Sequence, residues 1–335
     1  MTGETGAIAR NACLLATAQN KVECCERPLD ALPPDKIRVK VDVSMVSTGT
    51  ELHHIQQTHT KSSSFPRSTG YISVGRIVGI GCSVSNATLG QRVLVQQGHF
   101  AYHNADPKQV KIVPEGVAPE DACAAILLGI SLRGIRGGKV RLGDSVGVFG
   151  LGVIGQFAVH LAKISGAYPV IAVDPVAKRR DVAAKMGADV TLDPLKPDFA
   201  AAFRAATNDE GVRVSIDASG TPRVIASLPD VTAQFGTVVV LGGVHGLVEF
   251  DLYSRFQKSN LTMVGCGSAY PTDYPHDADR NETTLLQMMK AGIVRPRPVL
   301  SHFVPWREGP EMYRLLMEEK DKAIGVAFDW SAGDR

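Results

Sequence analysis

The spacing of apolar positions changes near residue 144. Before it, short β-branched runs at Ile37–Val46, Gly75–Gly81, Arg92–Val95 and Val110–Val113 are separated by glycine and proline, which predicts strands folded over into a β-barrel. After it, the apolar runs Val146–Phe149, Val170–Val173, Val190–Leu192, Val214–Asp217, Thr237–Leu241 and Leu261–Val264 predict six strands. Between them lie predicted helices from the glycine turn to about Ser165, at Ala177–Met186, at Phe199–Ala206 and near Arg223–Leu228. Strands joined by helical crossovers form a doubly wound parallel sheet, which holds its ligand at the carboxyl ends of the strands. The tail adds a loop at Ser268–Asp279, a helix at Glu282–Ala291, a strand near His302 and a helix at Glu308–Glu319.

The first strand-to-helix junction carries the clearest chemistry. It reads Gly150-Leu151-Gly152-Val153-Ile154-Gly155 and is followed by a helix and a second strand ending at Asp174. Gly150 permits a tight turn, Gly152 lets backbone approach a pyrophosphate, and Gly155 lets the helix lie close on the strand. The helix opening at Gly152, Val153 and Ile154 offers its positive end to the phosphates. Asp174 stands 19 residues after Gly155, where an acid accepts hydrogen bonds from the adenosine ribose. A carboxylate there repels the extra phosphate of NADP, and Pro175 rather than arginine follows it, so NAD is favoured. Lys178, Arg179 and Arg180 lie one turn later; they either reach a phosphate or solvate a helix start and lean on the ribose.

Composition narrows the class. The 335 residues, 44% hydrophobic and 21% charged, suffice for two domains with full cores. Interspersed charges leave a net +2, without the basic stripe of a nucleic-acid binder. No apolar run spans a membrane, and the opening Met-Thr-Gly-Glu-Thr-Gly has no signal-peptide pattern, so a cytoplasmic protein acting on a small molecule is expected. The six cysteines are scattered without zinc-ligand spacing, and adjacent Cys24 and Cys25 would face opposite sides of a strand.

A β-rich first part, a nucleotide-binding middle and a short return segment resemble the medium-chain dehydrogenase/reductase family of zinc alcohol, sorbitol and threonine dehydrogenases. The resemblance rests on Ser47-Thr48-Gly49-Thr50-Glu51-Leu52-His53, Gly70-Tyr71-Ile72-Ser73-Val74-Gly75, Gly90-Gln91-Arg92-Val93, the glycine turn, Asp217-Ala218-Ser219-Gly220 and Leu241-Gly242-Gly243. It implies a GroES-like barrel in residues 1–128, a Rossmann NAD-binding domain in 129–267 and a return segment in 268–335 that packs back on the barrel, leaving a cleft between the domains. It also implies cofactor contacts at Ser219, Gly242 and Gly243, and a homodimer formed through the sheet edge at Thr237–Leu241 and Leu261–Val264.

The departures are as informative. Zinc-dependent members carry Cys where this chain has Thr48, His-Glu where it has Tyr71-Ile72, and Cys or an acid at the position of Leu128; the four-cysteine lobe is also missing. Thr, Tyr, Ile and Leu cannot supply a zinc site, so no metal is expected. In the family, the hydroxyl at Thr50 contacts the substrate oxygen and the imidazole at His53 exchanges its proton with solvent; otherwise Thr50 caps a turn and His53 packs at the barrel rim. Tyr71 either donates to a carbonyl or alkoxide oxygen or fills the space the metal left. Glu51 reads as structural, orienting His53 or His54. The polar-aromatic loop Tyr270–Asp277 suits a polyhydroxylated substrate or is a solvated loop.

The expectation is a zinc-independent, NAD-linked oxidoreductase interconverting a secondary alcohol and a ketone, similar to a metal-free branch that includes the bacteriochlorophyllide dehydrogenase type and acts on sugar, cyclitol or pigment alcohols. The rivals are an alkene or quinone reductase and a cofactor-binding protein without turnover.

Overall fold

Period-two burial builds the first unit: in β3 (Ile37–Met45) the side chains of Ile37, Val39, Val41 and Val43 point inward and the intervening ones are less buried. The computed structural model describes residues 10–58, 64–267 and 277–331. Strands β1 (Arg10–Ala18) and β2 (Lys21–Pro28) form an antiparallel hairpin, and β1 also pairs with β4 (Arg67–Ser68). Strands β5 (Ser73–Ile80), β6 (Arg92–Val95), β7 (Tyr102–Ala105) and β8 (Lys111–Ile112) join β3 in a second sheet. Between β3 and β4 lies helix α1 (Thr48–Gln56), and helix α2 (Pro119–Gly137) follows β8.

The second unit is the doubly wound sheet. Strands β9 (Val146–Phe149), β10 (Val170–Val173), β11 (Val190–Leu192), β12 (Val212–Asp217), β13 (Thr232–Val240) and β14 (Thr262–Gly265) lie in the order β11-β10-β9-β12-β13-β14, every pair parallel. Reversal of the order beside β9 creates the switch point at which such folds bind a dinucleotide. The crossovers are α3 (Val153–Ile164), α4 (Ala177–Met186), α5 (Phe199–Ala206) and α6 (Pro222–Val231). Phe149, Ile171, Phe203, Val212 and Leu228 pack into one core of this unit. Helix α7 (Ala278–Lys290) follows.

The chain then returns to the first unit through β15 (Leu300–Pro305), α8 (Gly309–Glu318) and β16 (Gly325–Asp329). There β16 pairs antiparallel with β3, completing a seven-stranded sheet. Leu14, Trp306, Tyr313, Phe328 and Trp330 share a core, and the Trp306 and Trp330 rings stack at 4.9 Å. The compact units are residues to Ala125 with those from Leu300, and Ile126–Val299. The return therefore begins some thirty residues later than the expected 268, because the preceding segment is fixed to the nucleotide-binding unit. Leu285 and Leu286 of α7 are buried, Arg136 of α2 donates to Asn281, and Arg295 N donates to His160 Nε2 of α3 at 3.1 Å.

Candidate functional site

In the second unit, steric limits explain each glycine of the turn after β9. Gly150 has φ +91°, and a Cβ on it would stand 2.7 Å from Ser219 N. A Cβ on Gly155 would stand 1.8 Å from Gly150 O, so α3 lies against the turn only because residue 155 has no side chain. A Cβ on Gly152 meets nothing within 4 Å. Gly152 is the N-cap of α3 and contributes no side-chain cap, so the amides of the first turn, Val153 and Ile154 among them, open onto that space. This cradle suits a pyrophosphate.

Asp174, at the end of β10, is 3% exposed. Its two carboxylate oxygens accept Leu151 N and Val176 N, both at 2.8 Å. Arg179 Nη1 lies 3.7 Å from Asp174 Oδ2, while Arg180 Nη1 donates to Asp174 O at 2.7 Å and lies 3.4 Å from Asp193 Oδ2. Both arginines thus face carboxylates across the end of the sheet. Gln156 donates to Leu151 O and Arg179 O at 3.1 and 2.7 Å, linking the glycine turn to α4.

Asp217 is the organiser of the remaining expected cofactor residues. Its carboxylate accepts Ser219 N and Oγ at 3.0 and 2.6 Å and Gly220 N at 3.2 Å, and its carbonyl accepts Gly242 N at 2.9 Å. Burial pushes this carboxyl above its ordinary value, against the opposing pull of the Ser219 and Gly220 donors. A Cβ on Gly242 would collide with Gly220 N at 2.5 Å, so both loops close only around glycine. Gly243 is exposed beside them. The sequence alone marks Asp217 only as part of a motif; its place at the end of a buried strand, two residues before a serine, is the local signal of its role.

In the first unit, Thr50 and His53 sit three residues apart on α1, on one helical face. Thr50 is exposed; His53 is half-buried, with Nδ1 2.8 Å from Thr58 Oγ1. Tyr71 is half-buried and its phenol donates to Ser47 Oγ at 2.7 Å. Thr48 is the first residue of α1, and Leu128, in α2, is fully buried. The expected role of Glu51 is corrected. Its carboxylate accepts Ser47 N at 2.6 Å, Gly70 N at 2.9 Å and the Tyr313 hydroxyl, and makes no hydrogen bond to His53 or His54, because it points into the core from the buried side of α1. His99, fully buried, places Nε2 3.4 Å from Glu51 Oε2 and Nδ1 2.7 Å from Ser44 Oγ. Burial, then the Glu51 charge, pushes the Tyr313 phenol well above its ordinary range. Burial, then Arg67, pushes His54 down, with Glu51 opposing. Ser47, His99 and Tyr313 were not foreseen; the capping-box spacing Thr48-Gly49-Thr50-Glu51, which marks a helix start beside Ser47, was the one local sign of the first.

Among the described residues, no three His, Cys, Asp or Glu side chains converge as a metal site would require, and no helix is long and apolar enough to cross a membrane. Most of the Ser268–Asp279 loop, including Tyr270, lies outside the described residues.

Comparisons with known proteins agree with this architecture. Residues 153–282 match the family model of zinc-binding dehydrogenases. The chain is 29% identical over 270 residues to D-guloside 3-dehydrogenase of Escherichia coli (strain K12), covering 77% of each chain. The structure of a short chain alcohol dehydrogenase of E. coli CFT073 complexed with NADH superposes with a TM-score of 0.84 at 18% identity, covering 96% of this chain and 100% of that one. An NADP-bound Sinorhizobium meliloti 1021 protein superposes with a TM-score of 0.83 at 20% identity, covering 96% and 99%. The fold is a GroES-like barrel with a Rossmann domain.

Proposed function

We propose that the chain is an alcohol dehydrogenase-like member of the medium-chain dehydrogenase/reductase family, as its match to zinc-binding dehydrogenases over residues 153–282 and its 29% identity to D-guloside 3-dehydrogenase support, and that it interconverts a secondary alcohol and a ketone with NAD(H), without zinc, on a sugar-like or cyclitol substrate. The observation that carries the reading is the donor set. Thr48, Tyr71 and Leu128 stand where zinc-dependent members carry ligands, and a hydroxyl, a phenol and a buried alkyl group do not make a zinc site.

The residues present do suit a nicotinamide dinucleotide. When bound, its ring accepts or supplies hydride at C4. The open amides at the start of α3 receive the pyrophosphate and Asp174 the ribose hydroxyls. Arg179 and Arg180 are engaged by Asp174 and Asp193, which favours NAD over NADP. Thr50 holds the substrate oxygen, and His53, beside Thr58, moves the proton between that oxygen and solvent. Tyr71 helps to polarise the same oxygen. The relative that acts on D-guloside at position 3 supports a polyhydroxylated substrate.

The test is nucleotide reduction across polyols, glycosides, cyclitols and enones. Oxidation of at least one secondary alcohol, slowed about 10²-fold or less in His53→Ala with NADH affinity retained, is expected. Activity confined to enones, or none with any alcohol, would overturn the reading. We also propose pairing of two copies through β14, an edge strand on which Met263 is 39% exposed. Light scattering should report a dimer that Met263→Lys weakens; a monomer at micromolar concentration contradicts it.

A further inference from the structure

Ser47 occupies the N-cap of α1 but does not cap it. A serine there ordinarily turns its hydroxyl to the amides of the first turn, a bond whose loss costs about 1 kcal/mol. Here the hydroxyl makes no bond to the helix and instead accepts the Tyr71 phenol at 2.7 Å. Among the described residues its own hydrogen has no acceptor. The helix start is closed by another route: Glu51 Oε1 accepts Ser47 N at 2.6 Å, and Ser47 O accepts Glu51 N at 3.0 Å.

The same carboxylate fixes the other partner. Glu51 Oε2 accepts Gly70 N at 2.9 Å, the amide immediately before Tyr71, and is also met by the Tyr313 hydroxyl. One carboxylate, in a residue 4% exposed, therefore holds the backbone at Ser47 and the backbone beside Tyr71, and so sets the spacing of two hydroxyls that lie 24 positions apart in the chain. The surroundings leave little slack. Gly70 has φ +73°, and a Cβ on it would lie 2.5 Å from His99 Nε2. His99 is in turn fixed through Ser44 Oγ, which also accepts Trp330 Nε1 at 2.8 Å.

We propose that Ser47 is a further residue of this site: Ser47 and Tyr71 act as one hydroxyl pair on the substrate oxygen, and Glu51 is the positioning residue that sets their spacing. The phenol hydrogen is committed to Ser47, so the pair offers one hydrogen, that of the serine, and donation from Tyr71 strengthens it. The inference rests on the alcohol–ketone reading above. Glutamine cannot replace Glu51, since its single carbonyl oxygen accepts at one amide and its NH₂ faces the other.

The experiment combines kinetics with a probe that needs no turnover. Ser47→Ala should lower kcat about tenfold or more, as loss of a preorganised donor does, with NADH affinity unchanged, and Ser47→Thr should retain activity. Ser47→Ala with Tyr71→Phe should cost no more than the larger single change, because the two act as a unit. In protein carrying 3-fluorotyrosine, the fluorine resonance assigned to position 71 through Tyr71→Phe should move in Ser47→Ala and in Glu51→Gln, and stay near its original position in Ser47→Thr. Wild-type kcat in Ser47→Ala, losses that multiply in the double variant, or an unmoved resonance would overturn the pair. A moved resonance in a protein that oxidises no alcohol would leave the pair standing and remove the function. The serine variants do not touch the buried carboxylate, so the test survives if Glu51→Gln fails to fold.

Discussion

Replacing Asp174 by alanine should exchange the nucleotide preference. A carboxylate offers about four lone-pair sites, and the amides of Leu151 and Val176 occupy two of them. In the proposed complex the remaining two would accept the adenosine ribose hydroxyls. A hydrogen bond to a charged group contributes about 1.5–3 kcal/mol, so losing both, with water restoring part, should weaken NADH by about 3 kcal/mol, or roughly 10²-fold. For NADPH the sign reverses. The 2′-phosphate no longer meets a carboxylate, and Arg179, now 3.7 Å from Asp174 Oδ2, is released toward it. The NADH-to-NADPH affinity ratio should therefore fall by about 10²-fold or more. Fluorescence titration of both nucleotides measures it, run below the unfolding transition because two buried amides lose their acceptor at about 1–3 kcal/mol each. Asp174→Asn, which keeps one acceptor, should lie between. Parallel weakening of both nucleotides would show that the carboxylate only supports the loop, and a native preference for NADPH would refute the assignment outright.

Two glycines of the turn should separate stability from binding. Gly155→Ala places a Cβ 1.8 Å from Gly150 O and should lower the melting temperature, overpacking costing about 1–3 kcal/mol or more, whereas Gly152→Ala meets nothing within 4 Å and should melt normally while losing NADH; equal melting temperatures contradict this. Acid should weaken the first unit through His103, whose Nε2 donates to the Gly98 carbonyl at 3.0 Å and whose imidazole is pushed by burial from 6.5 to about 4. A base with a depressed folded value contributes full stability above its unfolded value and loses it as pH falls, here about 3 kcal/mol between pH 6.5 and 4; denaturant melts of wild type and His103→Gln should converge across that window, and parallel profiles refute it.

The Rossmann unit was legible because its information is local. Buried parallel strands read as uniform apolar runs, and Ala177–Met186, Val190–Leu192 and Phe199–Ala206 fall where the pattern places them. Helix α2 was not read, since its buried stretch from Ala122 to Leu128 is apolar on every side and shows no helical period. Nor was α1: Thr48, Gly49 and Thr50 are poor helix formers, and the helix is fixed by Glu51 and Ile55 turning inward. The glycine turn and Asp174 stand out as candidates from spacing alone. The Glu51 cluster could not, because Tyr313 comes to Glu51 from 262 residues away and only the return of α8 to the barrel brings it there.

The central claim is alcohol–ketone chemistry without zinc, and one measurement meets it directly: steady-state NADH formation from a panel of polyols, glycosides and cyclitols by chelator-treated protein whose metal content is known from elemental analysis. The account predicts oxidation of at least one secondary alcohol at a rate the chelator leaves unchanged, with far less than one metal per chain, because Thr48, Tyr71 and Leu128 supply no zinc ligands. Close to one zinc per chain, with turnover lost on its removal and restored on its return, would contradict it.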